Sequence, residues 1–244
     1  MQKEECKTRR ENVNQHYEEK WKNYTEEDVL KRVENLREVL DPIISPFTLE
    51  KGLKILDLGS GPGIIPLRMA QIFGEDSGIE VYGIDISQRA LQLGNKVTEK
   101  MGFGSFIHLV RCDVENLPFQ KCRYDAVVSN ATINLLLDKE KGFDEIARVT
   151  KDEGEIIIAD CVAKEDKRCC GDTDADDELW SACVAGAPTK VEMQQLANRA
   201  GLEVLETKDL TYEVSRLVKN ELWDWPEFVE YDLDYYVFRM LRRE

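Results

Sequence analysis

Lys54-Ile55-Leu56-Asp57-Leu58-Gly59-Ser60-Gly61-Pro62-Gly63 carries an apolar strand into an acid and then into three glycines at alternate positions, with a helical pattern behind them. A glycine turn of this kind presents backbone rather than side chains to a ligand lying over the strand end, because no Cβ blocks the approach. The dinucleotide turn Gly-x-Gly-x-x-Gly sets a phosphate on the N-terminus of the following helix. In this chain the third glycine comes one residue early, Ile64 stands in its place, and Asp57 lies two residues before the first glycine. A carboxylate there repels a pyrophosphate and suits an ammonium or sulfonium group.

Two more strand ends carry acids. Glu80-Val81-Tyr82-Gly83-Ile84-Asp85-Ile86-Ser87 is a short apolar run closing on Asp85, at about the fingerprint's separation from the glycines. At the end of the next parallel strand Asp85 is placed to accept from both hydroxyls of a ribose. A third run, Phe106 to Val110, leads into Arg111-Cys112-Asp113-Val114, where Asp113 can accept from an adenine amino group. Three acidic strand ends in order, the first with glycines, point to S-adenosylmethionine (SAM). The candidate cofactor-binding residues are Asp57, Gly59, Ser60, Gly61, Gly63, Asp85, Ile86, Asp113, Val114 and, from the fourth strand, Asn130.

Leu56 to Gly63, Gly83 to Ser87 and Asp113-Val114 resemble the successive cofactor motifs of class I SAM-dependent methyltransferases, over roughly residues 50 to 205. The resemblance implies a doubly wound, mostly parallel, Rossmann-like α/β sheet. The periodicity of the chain predicts the same class. From Lys54 onward strands at 53–57, 79–84, 106–111, 124–129 and 154–160 alternate with helices at 63–73, 87–101 and 138–149, the pattern of right-handed crossovers and a sheet covered on both faces. Residues 161–187 read as irregular, acidic and rich in cysteine. A helix at 189–200, a strand near 202–208, a helix at 212–220 and a strand from Tyr235 to Met240 follow. Apolar residues at helical spacing (Val29, Leu30, Val33, Leu36, Leu40) predict one or two capping helices before Pro42. The expected division is a helical cap at 1–45, a SAM-binding core at 46–210, and a C-terminal helix and edge strand at 211–244 that complete the same domain.

The 244 residues suffice for one full core, and 42% hydrophobic with 33% charged residues is ordinary for a folded cytosolic protein. A formal charge of −15 argues against a nucleic-acid partner, since phosphate binding needs a basic surface. The N-terminal residues lack the apolar core of a signal peptide and no apolar run approaches a membrane span, so a cytoplasmic protein without a membrane partner is expected.

The fourth strand ends in Ser129-Asn130-Ala131-Thr132-Ile133-Asn134-Leu135. Asn130 falls at the carboxyl end of a buried parallel strand, where such sheets place ligands, and it serves either as a turn former or to orient the methionine moiety or a substrate. The segment resembles the Ser-Asn-Cys-Val-x-Asn-Leu stretch of arsenite methyltransferases, in which the cysteine binds arsenic; here Ala131 takes its place. Glu178-Leu179-Trp180-Ser181-Ala182-Cys183-Val184-Ala185-Gly186-Ala187 resembles Leu-Trp-x-x-Cys-x-x-Gly-Ala of the same enzymes, with Cys183 at a metalloid-binding position. Seven cysteines with two histidines and no Cys-x-x-Cys pair form neither a zinc pattern nor a disulfide framework. Cys112 and Cys122 read as small hydrophobes or surface residues. Cys161, Cys169, Cys170 and Cys183 fall together after the fifth strand, and soft thiolates bind thiophilic centres such as trivalent arsenic.

The resemblance therefore implies methylation of thiol-bound trivalent arsenic, with Cys183 holding the metalloid. Cys161, the chelating pair Cys169-Cys170, or an external thiol such as glutathione or a dithiol reductant completes the coordination. Cys183, Cys161 and Asn130 are the candidate catalytic residues. Other small acceptors, a thiol, an amine or a quinone-like carbon, stay open, although they need a base and no histidine lies in a motif. A SAM-binding regulatory module without transfer activity is the reading from a different class. Tyr17 is read as an anchor of the first helix, with closure over the cofactor as the alternative that the resemblance suggests. The aromatic tail Trp223-Asp224-Trp225-Pro226-Glu227-Phe228 is read as a lid or core contact rather than a partner interface.

Overall fold

In the computed structural model, which describes residues 2–47, 52–164 and 177–243, seven strands form one sheet in the order β3-β2-β1-β4-β5-β7-β6. The strands are β1 (Lys54–Leu58), β2 (Glu80–Asp85), β3 (Ile107–Arg111), β4 (Tyr124–Asn130), β5 (Thr150–Val162), β6 (Leu202–Asp209) and β7 (Asp234–Arg242). β1 to β5 pair in parallel, and β7 runs antiparallel to both β5 and β6. The strand order reverses between β1 and β4, and the carboxyl ends of these strands open the crevice in which doubly wound sheets bind ligands.

Alternation along the central strands separates two cores. Ile55, Ala126, Val128, Ile157 and Ala159 pack on one side of the sheet, whereas Leu56, Leu58, Val127, Ile156 and Ile158 pack on the other. Every one of these side chains is essentially inaccessible to water. The first core is covered by α2 (Glu26–Asn35), α3 (Arg37–Ile44), α4 (Ile64–Phe73) and α5 (Gln88–Met101), preceded by α1 (Gln2–Lys20). The second is covered by α6 (Lys139–Val149) and, after the short α7 (Asp177–Ser181), by α8 (Lys190–Arg199). Two further helices, α9 (Thr211–Lys219) and α10 (Pro226–Glu230), return the chain to the first side. Among the described residues, no helix is long and apolar enough to cross a membrane.

Three expectations need correction. The N-terminal cap holds three helices, and Pro42 lies inside the second half of α3, where its missing N–H removes a single helical bond. The polar α1 lacks an apolar stripe, so its periodicity carries no signal. The strand at 235–240 is not at the edge: β7 inserts between β5 and β6, and β6 is the edge. Tyr235, Val237, Phe238 and Met240 explain the insertion, since both faces of that strand are buried, whereas β6 shows several exposed positions. Residues 161 and 162 extend β5, and α7 lies inside the stretch read as irregular.

The glycine turn joins β1 to α4 with Gly59, Gly61 and Gly63 all at positive φ (65°, 56° and 82°), a region costly for any residue with a Cβ. At Gly59 space is closed as well, because a Cβ would overlap the Thr132 side chain. Gly102, which ends α5 at φ 76°, has nothing within 4 Å of the same position. Gly59→Ala and Gly102→Ala both incur the left-handed cost of roughly 1–2 kcal/mol, and Gly59→Ala incurs about 1–3 kcal/mol more from overlap. Urea denaturation midpoints should separate the two variants in that order; equal shifts would show that Thr132 does not confine the turn.

Candidate active site

A cavity of about 580 Å³ opens beyond the carboxyl ends of β1, β2 and β4. Its floor is the glycine turn. The Ser60 amide donates to the Ile84 carbonyl (2.8 Å), and the Gly61 amide donates to Asp85 Oδ2 (2.8 Å), so the turn is tied to the end of β2. Asp85 Oδ1 accepts from the Ser87 amide (2.8 Å) at the start of α5. Burial pushes the Asp85 carboxyl above the usual carboxylate range, while these backbone donors draw it back. Asp57 lies beneath the turn, 1% exposed, and burial raises its carboxyl to about 8. Among the described residues, Asp57 Oδ2 and the Ser60 hydroxyl are buried without a hydrogen-bond partner. Orphaned polar atoms at a cavity wall mark where a polar ligand group completes the site.

Asp113 lies on the same wall but is already engaged. Its Oδ1 accepts from the Glu115 amide (2.9 Å), and Arg10 of α1 reaches its Oδ2 (3.1 Å) and Glu115 Oε2 (2.5 Å). Buried Glu115 in turn accepts from the Leu137 amide (2.8 Å). Arg10 thus pins the middle of α1 across the β3 end of the cavity. Arg9 and Asn12 bind Asp177 of α7 (2.9 and 2.6 Å). These polar ties explain how a helix without an apolar face stays in place.

At the other end the Tyr235 hydroxyl donates to Asn130 Oδ1 (2.7 Å), turning that amide toward the cavity wall from inside the sheet. Ala131 follows at φ 54°, and Cys183 has φ 64°; both are non-glycine residues in the left-handed region, a strained geometry that clusters at functional sites. Cys183 Sγ lies 3.7 Å from the Ala131 carbonyl and 3.9 Å from the Tyr17 hydroxyl, and all three residues line the cavity. Buried Asn134 docks the Cys183 segment: its Nδ2 faces the carbonyls of Cys161 (2.9 Å) and Cys183 (3.2 Å). Gly186 completes the contact, since any Cβ there would overlap the Asn134 carbonyl.

The structure places the predicted residues unevenly. Asp57, Gly59, Ser60, Gly61, Asp85, Ile86, Asp113, Val114 and Asn130 all wall the cavity, together with Cys183. Gly63 does not line it and instead caps α4. Cys161 is also outside: its thiol is fully buried and donates to the Cys183 carbonyl (3.2 Å) beneath the cavity wall. Cys169 and Cys170 lie outside the described residues. Among the described residues no cluster of three or more Cys, His, Asp or Glu side chains is arranged to hold a metal ion.

Several cavity residues escaped the sequence reading. Arg10, Val13, His16 and Lys20 line it from α1 together with Tyr17, which the sequence did single out, at spacings of three and four, a helical face that is mostly polar and so resembles a solvated one. Tyr17 is therefore both an anchor and a wall. Trp223 and Trp225 are buried at the opposite wall, Trp225 donating to the Ala182 carbonyl (2.9 Å), which makes the aromatic tail a core contact that also faces the cavity. His16 lies in no motif, yet it lines the cavity from α1, where partial desolvation lowers its pKa below the usual histidine value.

The Asp57 carboxyl predicts a pH dependence. Between the ordinary aspartate range and about 8 the folded protein keeps a proton that the unfolded chain has released, so stability falls as pH rises through that window. Asp57→Asn should remove one proton's worth of slope, about 1.4 kcal/mol per pH unit, from ligand-free protein. Asp160, raised by burial to about 7, keeps its own slope below that pH. Denaturant unfolding at a series of pH values checks this, and an unchanged slope would show Asp57 to be ionised in the fold.

The cavity fits SAM on its own features: the buried, unpartnered Asp57 carboxyl oxygen, a floor built on the left-handed glycines Gly59 and Gly61, and acids at three strand ends. The sequence profile of a family described as "Methyltransferase domain" matches residues 49–201. An arsenite methyltransferase of Aquipseudomonas alcaligenes is 32% identical over 165 residues, 65% of this chain and 46% of the relative. The ubiquinone/menaquinone biosynthesis C-methyltransferase UbiE of Haemophilus ducreyi is 30% identical over 110 residues, 45% of this chain and 42% of the relative. The chain thus spans less than half the length of these relatives. A solved structure, Haemonchus contortus phosphoethanolamine N-methyltransferase 2 in complex with SAM, shares the fold with a TM-score of 0.69 at 17% identity, covering 91% of this chain and 58% of that one. With its family profile, its parallel sheet and its glycine-floored cavity in agreement, the chain belongs to the methyltransferase-domain family, and its cofactor is SAM.

Proposed function

We propose that this chain is a SAM-dependent methyltransferase whose small acceptor is thiol-bound trivalent arsenic. One observation carries the finer part of this reading. The position of the missing family cysteine, Ala131, and the cysteine that remains, Cys183, meet at the cavity wall with Sγ 3.7 Å from the Ala131 carbonyl.

Bound SAM supplies a methyl group on a positively charged sulfur, open to in-line attack. The chain's residues supply position and a dry site, and proximity of this kind is worth roughly 7–11 kcal/mol. Asp57 and Asp85 fix the donor end, and the buried indoles of Trp223 and Trp225, beside the Cys183 segment, keep water out of the acceptor end. Burial holds the Cys183 thiol at about 12, while Lys20 and Lys139 pull in the opposite direction. A neutral thiol suffices, since it exchanges for a hydroxyl on arsenic with release of water. The arsenic lone pair is the nucleophile, so no general base is required. With Ala131 lacking sulfur and the Cys161 thiol turned to a backbone carbonyl, external thiols complete the coordination.

His16 favours a second reading, transfer to a thiol, an amine or a quinone-like carbon, because an imidazole lining the cavity, its pKa lowered by desolvation, offers the base that such acceptors need. A regulatory module without transfer would bind SAM but form no S-adenosylhomocysteine with any acceptor.

Asp85→Ala removes an acceptor for the cofactor and the clasp on Gly61 together. A charged hydrogen bond is worth roughly 1.5–3 kcal/mol, so calorimetry should record about a ten- to hundredfold loss of SAM affinity. Unchanged affinity would remove Asp85 from the cofactor site.

Arsenite with a thiol reductant should be methylated, and Cys183→Ser should abolish the activity while leaving SAM affinity intact, because a hard oxygen binds arsenic poorly. Ala131→Cys keeps the same backbone and adds a second thiol beside the first, so arsenite affinity should rise. Arsenite affinity that ignores both changes would transfer the assignment to the second reading.

A further inference from the structure

Two cations in the cavity wall are not used by the site described above. Lys20, the last residue of α1, and Arg32, in α2, both line the cavity and are half-buried. Among the described residues neither forms an ion pair, whereas Arg10 of the same wall is taken up by Asp113 and Glu115. The Arg32 guanidinium lies over the Trp21 ring at 5.9 Å. The Lys20 ammonium lies 5.5 Å from the Tyr17 ring centre. The Tyr24 hydroxyl and Asp224 face Arg32, and Asp224 and Glu227 face Lys20, but among the described residues no carboxylate approaches either cation within ion-pair distance.

Burial is the largest influence on each group and disfavours its charge; for Lys20 the next is repulsion from Arg32. Two like charges in a half-desolvated wall whose facing carboxylates stand beyond ion-pair distance are costly, and an anion placed between them relieves desolvation and repulsion at once. The surrounding indoles lower the local dielectric and strengthen such a pairing. Lys20 also faces the Cys183 thiol, which puts this charge on the acceptor side of the cavity.

We infer that Lys20 and Arg32 form a carboxylate seat, and that the methyl acceptor carries a carboxylate or comparable anionic group that docks there. This rests on the reading of the cavity as an acceptor site. Under the arsenic reading the carboxylate belongs to the external carrier thiol that replaces the sulfur absent at Ala131. A second source of the same chemistry is the carboxylate of SAM's own methionine moiety.

The test uses the full chain saturated with S-adenosylhomocysteine, so that its readout is binding rather than turnover. Phenylacetate and its neutral isostere phenylacetamide are titrated by calorimetry, as are the arsenite complexes of 3-mercaptopropionate and of 2-mercaptoethanol. The carboxylate member of each pair should bind about tenfold or more tighter, as expected for a charge-assisted hydrogen bond. Lys20→Met and Arg32→Met should erase that preference, Arg32→Lys should restore part of it, and circular dichroism should confirm that each variant is folded. SAM affinity should stay at the parent value. Absence of any carboxylate preference in the parent protein overturns the proposal. So does a tenfold loss of SAM affinity in the Met variants that the decarboxylated SAM analogue does not share, since the seat would then belong to the donor. A phenylacetate preference that survives while both arsenite complexes fail to bind supports the seat and refutes arsenic as the acceptor.

Discussion

The hydrogen bond from the Gly61 amide to Asp85, 2.8 Å long, joins the turn after β1 to the end of β2, and the cavity is organised around it. An amide can point that way only because the residues of the turn adopt left-handed angles, which alternate glycines permit. The same carboxylate caps the start of α5 through Ser87, so one side chain sets both the cofactor floor and the helix beside it. Gly83 tightens the joint: a Cβ there would come within 2.5 Å of the Ser60 hydroxyl. The floor is therefore built before any ligand arrives, and its cost is two desolvated acids, buried Asp57 and half-buried Asp85, each held above its usual pKa.

The build of the floor contrasts with the way the roof is held. α1 has no apolar stripe to bury and depends on Arg9, Arg10 and Asn12 reaching acids on other elements. Such partly exposed ties are weak one by one and sensitive to salt. The acceptor wall lies between these extremes. Asn134 fastens the Cys183 segment to the end of β4 through backbone carbonyls, and the left-handed residues Ala131 and Cys183 stay in place because the contacts around them leave no alternative.

Asp57, Asp85 and Asp113 line the cavity from the strand ends, and Lys20 and Arg32 line it from α1 and α2. The chain as a whole carries −15, so this local basic pair runs against the global balance. Net charge speaks to bulk partners such as nucleic acid; the ligand meets only the few groups that face it.

The alternating strand and helix pattern, the glycine spacing and the three strand-end acids are local properties of the chain, and they alone determined the fold class and the cofactor. The reason is that a doubly wound sheet writes its ligand crevice into consecutive strand ends. Cys183 and Asn130 were likewise legible, one from a segment resemblance and the other from its place at a strand end. What only the tertiary structure decided depends on contacts between residues far apart in sequence. Cys161 is beneath the wall rather than in it because Asn134 and the Cys183 carbonyl enclose its thiol. β7 lies inside the sheet because two strands compete for its edges. Arg10, His16, Lys20 and Arg32 become cavity residues because α1 and α2 fold back over the glycine turn. Polar helical faces look the same in sequence whether they meet water or a ligand, and only the opposing surface distinguishes them.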